Sequence, residues 1–470
     1  MRKSPTTDAA RRLKPARIAA FWALCGACGV ARAAGLEYPE VGTVAQGRAG
    51  ADAAEPGDGF ALQVNPAGLA RQAGLRATLD GRVAWQRLTF TPASGEPAAS
   101  NDAQPFLSPA LVVSYGLGRT GPLEGLTFAL GALGPSAIGK LSYPAAGAQR
   151  YALVSNDTSL VYWSGAVAAA INRFVAAGLT LQLVRGRARF AQAVWSGEAP
   201  GTDRSLDTLA MVDATSGLIP TAVIGITVRP VERVAVGLSY RPGFTFEADG
   251  TLTTELPEAA RALAAHQVGS RARFVLPLPD IIRVGVLVRP TPRWFVEADA
   301  VLERWSSLRT IELRPQDISI VSDNLGTSKP LPDIIYRKDF QDAFSVRLGG
   351  EAEVVPGRLR ARAGVLHETS AVPLASTGVD FPGWERDTVA LGASFTLPRT
   401  PVTVDVAYAH HFQPTRTVTN SRVVQVVTPC LTPGCTDPPA SAVGNGTYEG
   451  SLDVLSLSLR LVLDVGGVAP

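Results

Sequence analysis

The residues that could do chemistry are few and scattered. The histidines are His266, His367, His410 and His411, and none of them lies in a metal-binding motif. The Gly-x-Ser-x-Gly motif of many hydrolases does not occur in the sequence. We therefore expect a protein that has no catalytic residue, no bound metal and no cofactor.

The four cysteines fall into two pairs. Cys25 and Cys28 lie in an N-terminal apolar run, whereas Cys430 and Cys435 lie in a Pro- and Thr-rich stretch. We expect the second pair to form a small loop disulfide, as in exported proteins. Half of a metal site is the alternative, but no histidine or further cysteine pair accompanies these two residues.

The N-terminus has the order of a secretory signal peptide over residues 1–33. An apolar run from Ile18 to Val30 follows several basic residues and ends in Ala31-Arg32-Ala33. The run is too short for a spanning helix, which needs about 20 apolar residues. Cleavage would leave Ala34 first. A lipoprotein signal at Cys28 is the rival, disfavoured because the residue three positions before it is Cys25 and not leucine.

The rest of the chain is long, without separate domains, and nearly neutral. No charged or low-complexity linker divides the residues after position 33, which favours one repetitive architecture. The net charge is +3, with Lys and Arg interleaved with Asp and Glu. A nucleic-acid partner therefore has no electrostatic support.

Alternation of apolar and polar residues recurs along the chain. From Val402 to Tyr408 the apolar side chains share one face, and Thr403 and Asp405 share the other. Leucines from Leu455 to Leu461 alternate with polar residues in the same way. Alternation over about ten residues is typical of transmembrane barrel strands. A soluble β-sandwich alternates too, so this pattern alone does not decide the fold.

The lengths of the connections favour a membrane barrel. We predict fourteen strands, which begin near Leu75, Pro109, Gly125, Asp157, Arg173, Thr221, Arg233, Pro279, Trp294, Gln341, Arg358, Arg386, Pro401 and Gly446. Short connections alternate strictly with long ones at residues 91–108, 135–156, 188–220, 247–278, 306–340, 369–385 and 413–445. Tight periplasmic turns and long outer loops are typical of outer-membrane barrels. The predicted fold is an all-β, transmembrane antiparallel barrel over residues 74–464.

A barrel of this size needs an occupant or carries a pore, because its wall side chains cannot fill the lumen. Residues 34–73 lack strand alternation and contain Gly47-Arg48-Ala49 and Asn65-Pro66-Ala67, together with apolar residues that could anchor them. We predict that this segment plugs the lumen. A flexible periplasmic leader is the alternative.

Several motifs, taken in order, resemble the long-chain fatty acid transporter (FadL) family of outer-membrane proteins, which includes aromatic-hydrocarbon uptake channels. Gly47-Arg48-Ala49 and Asn65-Pro66-Ala67 resemble the family's N-terminal hatch. Further motifs that match in order and spacing are Gly237-Leu238-Ser239-Tyr240-Arg241, Leu278-Pro279-Asp280, Trp305-Ser306, Asp342-Ala343-Phe344 and Ser370-Ala371-Val372-Pro373. The resemblance covers nearly the whole chain after residue 33.

The resemblance implies a fourteen-stranded barrel, a hatch in its lumen and a hydrophobic cargo. The ligand would be captured between outer loops, move to an internal pocket, and leave sideways at a kinked third strand. This route avoids exposing the cargo to water, at about 0.8 kcal/mol per methylene. The capture loops would be residues 188–220 and 247–278, whose apolar residues include Phe190, Val194, Trp195, Leu206, Leu209, Met211, Leu218, Leu252, Leu256, Leu263 and Phe274. Packing of the loops on one another is the alternative.

Other site residues follow from the resemblance or from composition. Gly131, Gly134 and Pro135 favour a kink in the third strand, although an ordinary strand end is the alternative. Arg187 is the candidate partner of a ligand head group. Its parity with Leu183 points it outward unless Gly186 is a bulge, and in the outward position lipopolysaccharide phosphates are the alternative partner.

Two further features concern the hatch and the C-terminus. Glu368 lies where the family has an acidic residue near the hatch, but His367 and Ala371 depart from the family's pattern. The chain ends with Leu461-Val462-Leu463 and a non-aromatic tail, residues 464–470, whereas barrels of this type commonly end on an aromatic residue.

The expected function is outer-membrane transport of hydrophobic small molecules, with long-chain fatty acids as the first candidate cargo. The partners would be this ligand, outer-membrane lipid and lipopolysaccharide, and the protein would act as a monomer. The alternatives are a non-selective porin, a structural barrel or, less in keeping with the motifs, a lipid hydrolase.

Overall fold

The computed structural model describes residues 41–117 and 125–463. The predicted signal peptide, the first residues of the predicted plug and the C-terminal tail lie outside these described residues. None of the described helices has both the length and the apolar character needed to cross a membrane.

Fourteen long strands run antiparallel, each beside its neighbours in the chain. Numbered in chain order, they are β1 Gly74–Pro92, β2 Phe106–Gly116, β3 Leu126–Ser142, β4 Ser155–Ala170, β5 Val175–Trp195, β6 Ile219–Val231, β7 Val234–Arg241, β8 Ile281–Thr291, β9 Trp294–Glu303, β10 Ala343–Val355, β11 Leu359–Glu368, β12 Arg386–Thr396, β13 Val402–Val418 and β14 Gly446–Leu463.

The sheet closes on itself, because β1 pairs with β14 from Leu75–Leu463 to Pro92–Gly446. Closure gives the edge strands partners, which a spanning sheet needs in lipid. Each strand begins within three residues of its predicted start. The predicted fold class, a closed antiparallel barrel of fourteen strands, is confirmed.

The alternation of side chains divides the wall into two faces. On β2, Leu107, Leu111 and Val113 are exposed on the outer face, whereas Val112 and Ser114 are buried in the lumen. An apolar exterior is the face that lipid contacts in an outer-membrane barrel.

The long connections contain more regular structure than the sequence pattern indicated. Nine additional strands occur in them among the described residues. Strands Asp207–Thr215, Phe244–Glu255, Arg271–Leu278, Thr310–Gln316 and Ile334–Arg337 pair in succession and extend the sheet from the end of β5. Strands Ala265–Val268, Ser319–Ser322 and Thr327–Pro330 form a small separate sheet, and Ala99–Ser100 pairs with β1. In loops 188–220 and 247–278, successive side chains of these strands therefore point to opposite faces of the extended sheet.

Residues 41–73 lie inside the barrel. They form helices α1 Thr43–Gln46 and α2 Ala61–Val64 and a 3-10 helix, Pro66–Arg71, and most of their side chains are buried. A third helix, α3 Glu258–Ala262, and short 3-10 turns lie in the long connections. We call residues 41–73 the hatch segment.

Candidate functional site

The hatch segment follows the inner wall of the barrel in two halves. Residues 43–54, the first half, contact β1 and strands β6 to β14. Residues 59–70, the second half, contact strands β2 to β7. Asn65 connects the halves, since its Nδ2 donates to the carbonyl of Ala53 at 2.7 Å and to Thr227 Oγ1 at 3.3 Å. Its Oδ1 accepts from the backbone N–H of Ala67 at 3.2 Å and so caps the 3-10 helix.

Wall carboxylates hold the first half of the hatch. Asp299 Oδ2 accepts from the backbone N–H of Asp52 at 2.7 Å and of Ala53 at 2.9 Å. Glu297 accepts from the N–H of Ala54 at 2.6 Å. Charge-assisted bonds of this kind are stronger than neutral ones, especially away from water.

Further polar contacts complete the attachment of the first half. Asp80 on β1 accepts from both the N–H and the hydroxyl of Thr43, at 2.8 and 2.6 Å. Gln46 Nε2 donates to the carbonyl of Val454 at 2.8 Å. Arg48 is buried and pairs with Asp52 and Glu297.

Wall glycines let the backbone of the hatch approach the strands. A Cβ at Gly285 would lie 2.6 Å from the backbone nitrogen of Ala54, and a Cβ at Gly349 would lie 2.5 Å from the carbonyl oxygen of Arg48. A Cβ would also come within 3.0 Å of a hatch atom at five other wall glycines, which are Gly178, Gly225, Gly237, Gly364 and Gly392. The sequence analysis missed these residues, although a glycine inside an alternating strand often marks the close approach of another backbone.

The second half of the hatch packs into an apolar side of the lumen. Phe60, Leu62 and Leu69 are fully buried and belong to one cluster with wall residues that include Leu133, Leu160, Tyr162 and Val184. The cluster continues outward to Leu88, Phe90, Phe246, Phe274 and Trp305. The lumen on the outer side of this half of the hatch is therefore lined by apolar side chains.

Two adjoining cavities lie toward the outer loops. The larger has a volume of about 1000 Å³, and its lining includes Val194, Leu252, Ile334, Tyr336 and Lys338. The smaller, about 40 Å³, is lined mainly by Phe190, Phe274, Ile311, Tyr336 and Phe381. The smaller cavity is mostly apolar, as ligand sites typically are, whereas the lining of the larger one also contains charged residues such as Glu312, Asp333 and Arg422.

A buried ion pair lies where the cavities meet. Lys338 is 4% exposed, and its Nζ bonds to the carboxylate of Asp380, which lines both cavities. The ammonium also lies 4.6 Å from the centroid of the Phe381 ring. No sequence motif marks Lys338 or Asp380, and the sequence analysis did not predict this pair.

The predicted capture residues do not share one location. Phe190 lines the smaller cavity and packs against Phe274, with ring centroids 5.5 Å apart. Trp195 is buried in a separate cluster with Leu206 beside it, and Trp195 Nε1 donates to the carbonyl of Ala199.

Four further predicted residues lie outside the linings of the two cavities. Leu209 and Met211 occupy the half-buried face of strand Asp207–Thr215, whereas Thr208 and Ala210 on the opposite face line the larger cavity. Leu256 is half-buried and Leu263 is 37% exposed at the end of α3. Of the eleven predicted capture-loop residues, Phe190, Val194, Leu252 and Phe274 line one of the two cavities. Strand alternation within the loop places Leu209 and Ala210 on opposite faces, and the sequence analysis did not apply that alternation to the loops.

The third strand has an irregular backbone. Its register with β4 shifts between Leu133 and Ser136 and again between Ser136 and Gly139, which adds one residue to β3 each time. Gly131 faces the hatch, where a Cβ would lie 2.9 Å from Leu62 Cδ2. Pro135 lies within the first of these shifts, between Leu133 and Ser136.

The ladder between β2 and β3 stops part-way along the wall. It runs from Gly116–Thr127 to Ala110–Leu133, and among the described residues the next backbone hydrogen bond on this side of β3 runs from the Asp102 N–H to the Ser142 carbonyl at 2.9 Å. Gly134 lies against the backbone of Pro109 at the start of the unpaired stretch. The wall therefore has an interruption beside the apolar side of the lumen.

Two predicted contacts have other partners in the structure. Glu368 pairs with Arg386, at 2.8 Å, and the carboxylates that accept hatch N–H groups are instead Asp80, Glu297 and Asp299. Arg187 is exposed on the outer face of β5, as its parity predicted, and its guanidinium forms two hydrogen bonds to Asp213. These bonds hold the pKa of Asp213 below its usual range.

Cys430 and Cys435 form a disulfide, with their Cα atoms 6.1 Å apart. Glu198 lies close to both sulfur atoms, so these three residues are the group whose ligand atoms come closest to a metal-site arrangement in the described part of the chain. The sulfurs are bonded to each other, which favours the predicted structural role.

The family can be assigned from the sequence and the barrel together. The model of the family described as "Outer membrane protein transport protein (OMPP1/FadL/TodX)" matches residues 24–444. The chain belongs to this family. It is accordingly an outer-membrane transport protein for hydrophobic molecules, in a family of transporters and channels and not of enzymes.

Solved structures share the fold at low sequence identity. A FadL homologue of Pseudomonas aeruginosa superposes with a TM-score of 0.72 at 16% identity, covering 91% of this chain and 100% of that one. The toluene transporter TodX of Pseudomonas putida gives 0.63 at 14% identity, covering 91% and 100%. The toluene transporter TbuX of Ralstonia pickettii gives 0.62 at 13% identity, covering 90% and 99%. No match is found among curated protein sequences.

Proposed function

We propose that this transporter carries long-chain fatty acids. The cargo enters the larger outer cavity, passes the smaller aromatic pocket, and leaves sideways at the interruption between β2 and β3. The observation that carries the choice of cargo is Lys338, a buried cation at the junction of the two cavities.

A charge in this position favours an amphiphile over a hydrocarbon. Burying an ammonium group is costly unless an anion compensates it, and the bonded anion here is Asp380. A fatty-acid carboxylate could share or replace that partner, while its tail occupies the pocket formed by Phe190 and Phe274. An uncharged aromatic hydrocarbon offers the lysine only the face of its ring, which is a weaker partner than a carboxylate.

The apolar side of the lumen supports the rest of the route. Leu62 and Leu133 offer hydrocarbon contact down to Gly131, where β3 becomes irregular. A tail that stays on this side remains out of water, which saves about 0.8 kcal/mol for each methylene. Lateral exit then transfers it directly into lipid.

The test compares Lys338→Met with Lys329→Met, a matched change in an outer-loop strand away from both cavities. Cells that depend on this protein are supplied with labelled oleate or labelled toluene. We expect Lys338→Met to reduce oleate uptake roughly tenfold, the effect of one lost charge-assisted bond, and to spare toluene. Unchanged oleate uptake, or equal loss of both cargoes, would reject the assigned role of Lys338.

A non-selective porin is the competing function, and conductance separates it from the proposed one. The carboxylate and glycine contacts of the hatch favour a closed lumen. We expect the mature protein in planar bilayers to show no large steady current. Such currents in the wild-type protein would favour the porin.

We also propose that the protein is exported with cleavage after Ala33 and works as a monomer. We further propose that lipopolysaccharide phosphates contact the exposed outward face of β5, which carries Arg185, Arg187 and Arg189. N-terminal sequencing of the membrane-derived protein would check the cleavage site. Mass spectrometry of the same sample would identify lipids that copurify.

A further inference from the structure

One arginine lies in each described short turn of the barrel. Arg173 lies between β4 and β5, Arg233 between β6 and β7, and Arg293 between β8 and β9. Arg358 and Arg399 occupy the two remaining described turns. All five residues are exposed, and Glu232 is the acidic residue that these turns contain. We call these five residues the turn-arginine rim.

Several exposed arginines of the outer region, unlike those of the rim, are paired with carboxylates. In the outer region Arg187 pairs with Asp213, Arg273 with Asp249, and Arg314 with Glu312. No salt bridge is found for the five rim arginines within residues 41–117 and 125–463. The rim therefore presents guanidinium groups whose charge other residues of the described chain do not neutralise.

The rim lies at the level where strands leave the membrane. Trp294 and Phe395 are exposed on the strands beside it and Phe174 is exposed in the first of the turns, where Arg173 stacks over its ring at 4.5 Å. Exposed aromatic residues of this kind mark the interface between hydrocarbon and head groups. Arginine binds phosphate through paired N–H groups, and its stem tolerates apolar surroundings.

We propose that the turn-arginine rim binds the phosphate groups of anionic glycerophospholipids in the periplasmic leaflet. The short turns face that leaflet, where an unneutralised ring of guanidinium groups meets phosphates at the same depth. This interaction anchors the barrel vertically and is independent of which cargo the lumen carries. The failure of the fatty-acid proposal would leave it untouched.

The test uses the full mature protein and two double variants with the same change of charge. R293Q/R358Q removes two rim arginines. R261Q/R309Q removes two exposed arginines of the outer connections, for whose side chains no salt bridge is found within the described residues. Native mass spectrometry measures phosphatidylglycerol and phosphatidylcholine retained by each protein, and circular dichroism checks that the strands remain.

We expect the wild-type protein to retain phosphatidylglycerol over phosphatidylcholine. R293Q/R358Q should weaken phosphatidylglycerol binding at least about 5-fold, the effect of one basic residue at a lipid surface. R261Q/R309Q should bind it as the wild-type protein does. Equal loss in both variants, no loss in R293Q/R358Q, or equal retention of the two lipids by the wild-type protein would overturn the proposal.

Discussion

The two halves of the hatch are held by different kinds of interaction. Residues 43–54 are bound by carboxylates, buried charges and close backbone approaches to glycines. Residues 59–70 are bound mainly by apolar packing, with Asn65 as their principal polar contact. The first half can therefore keep the lumen closed while the second half shares its surface with a hydrophobic cargo.

The different attachment of the two halves of the hatch is tested most strongly at Asp299. Asp299→Ala leaves the buried N–H groups of Asp52 and Ala53 without an acceptor, at a cost of about 4 kcal/mol if each contributes about 2. We expect channel openings in planar bilayers to become far more frequent. Asp207→Asn, which alters the pairing with Arg150 in the outer region, is the control and should stay closed. A closed Asp299→Ala channel would contradict the assigned role of the first half.

Leu62→Ala tests the second half. The change leaves a void beside Gly131 and should lower the free energy of unfolding by about 3 kcal/mol. The lumen should remain closed, because the polar contacts of residues 43–54 persist. Conductance and chemical denaturation measure the two effects separately. Openings like those expected for Asp299→Ala would show that packing also seals the lumen.

Gly364→Ala tests the close approach of the hatch to the wall. The added Cβ would overlap the backbone of Arg48, and we expect a loss of about 2 kcal/mol in the free energy of unfolding. Gly81→Ala is the matched control, since a Cβ there meets no atom within 4 Å. Similar thermal unfolding of the two variants would mean that the hatch tolerates displacement.

Asn65→Ala tests the connection between the halves. It removes the cap of the 3-10 helix and the bond to the Ala53 carbonyl, at about 1 kcal/mol for the cap. Uptake of cargo should fall while assembly in the membrane is normal. Uptake equal to that of the wild-type protein would mean that the halves need not be coupled.

The smallest effect is expected at Arg187, which lies outside the lumen. Arg187→Gln removes an exposed pairing with Asp213 and should leave oleate uptake unchanged. A marked loss of uptake would bring the outer face of β5 into the transport route.

The sequence by itself determined the strands, their number and the alternation of short and long connections. These features are local, because the period of two shows directly in neighbouring residues, and each predicted strand start lies within three residues of the observed one. The same rule, applied inside the loops, would have separated Ala210, which lines the larger cavity, from Leu209.

Only the tertiary structure decided which residues meet in the lumen. Asp299 and Ala53 are far apart in the chain, and no local pattern distinguishes Asp299 from another inward polar residue. Lys338 likewise becomes a buried charge only because strands and loops surround it. Closure of the barrel brings such distant residues together, and their spacing along the chain does not show which of them will meet.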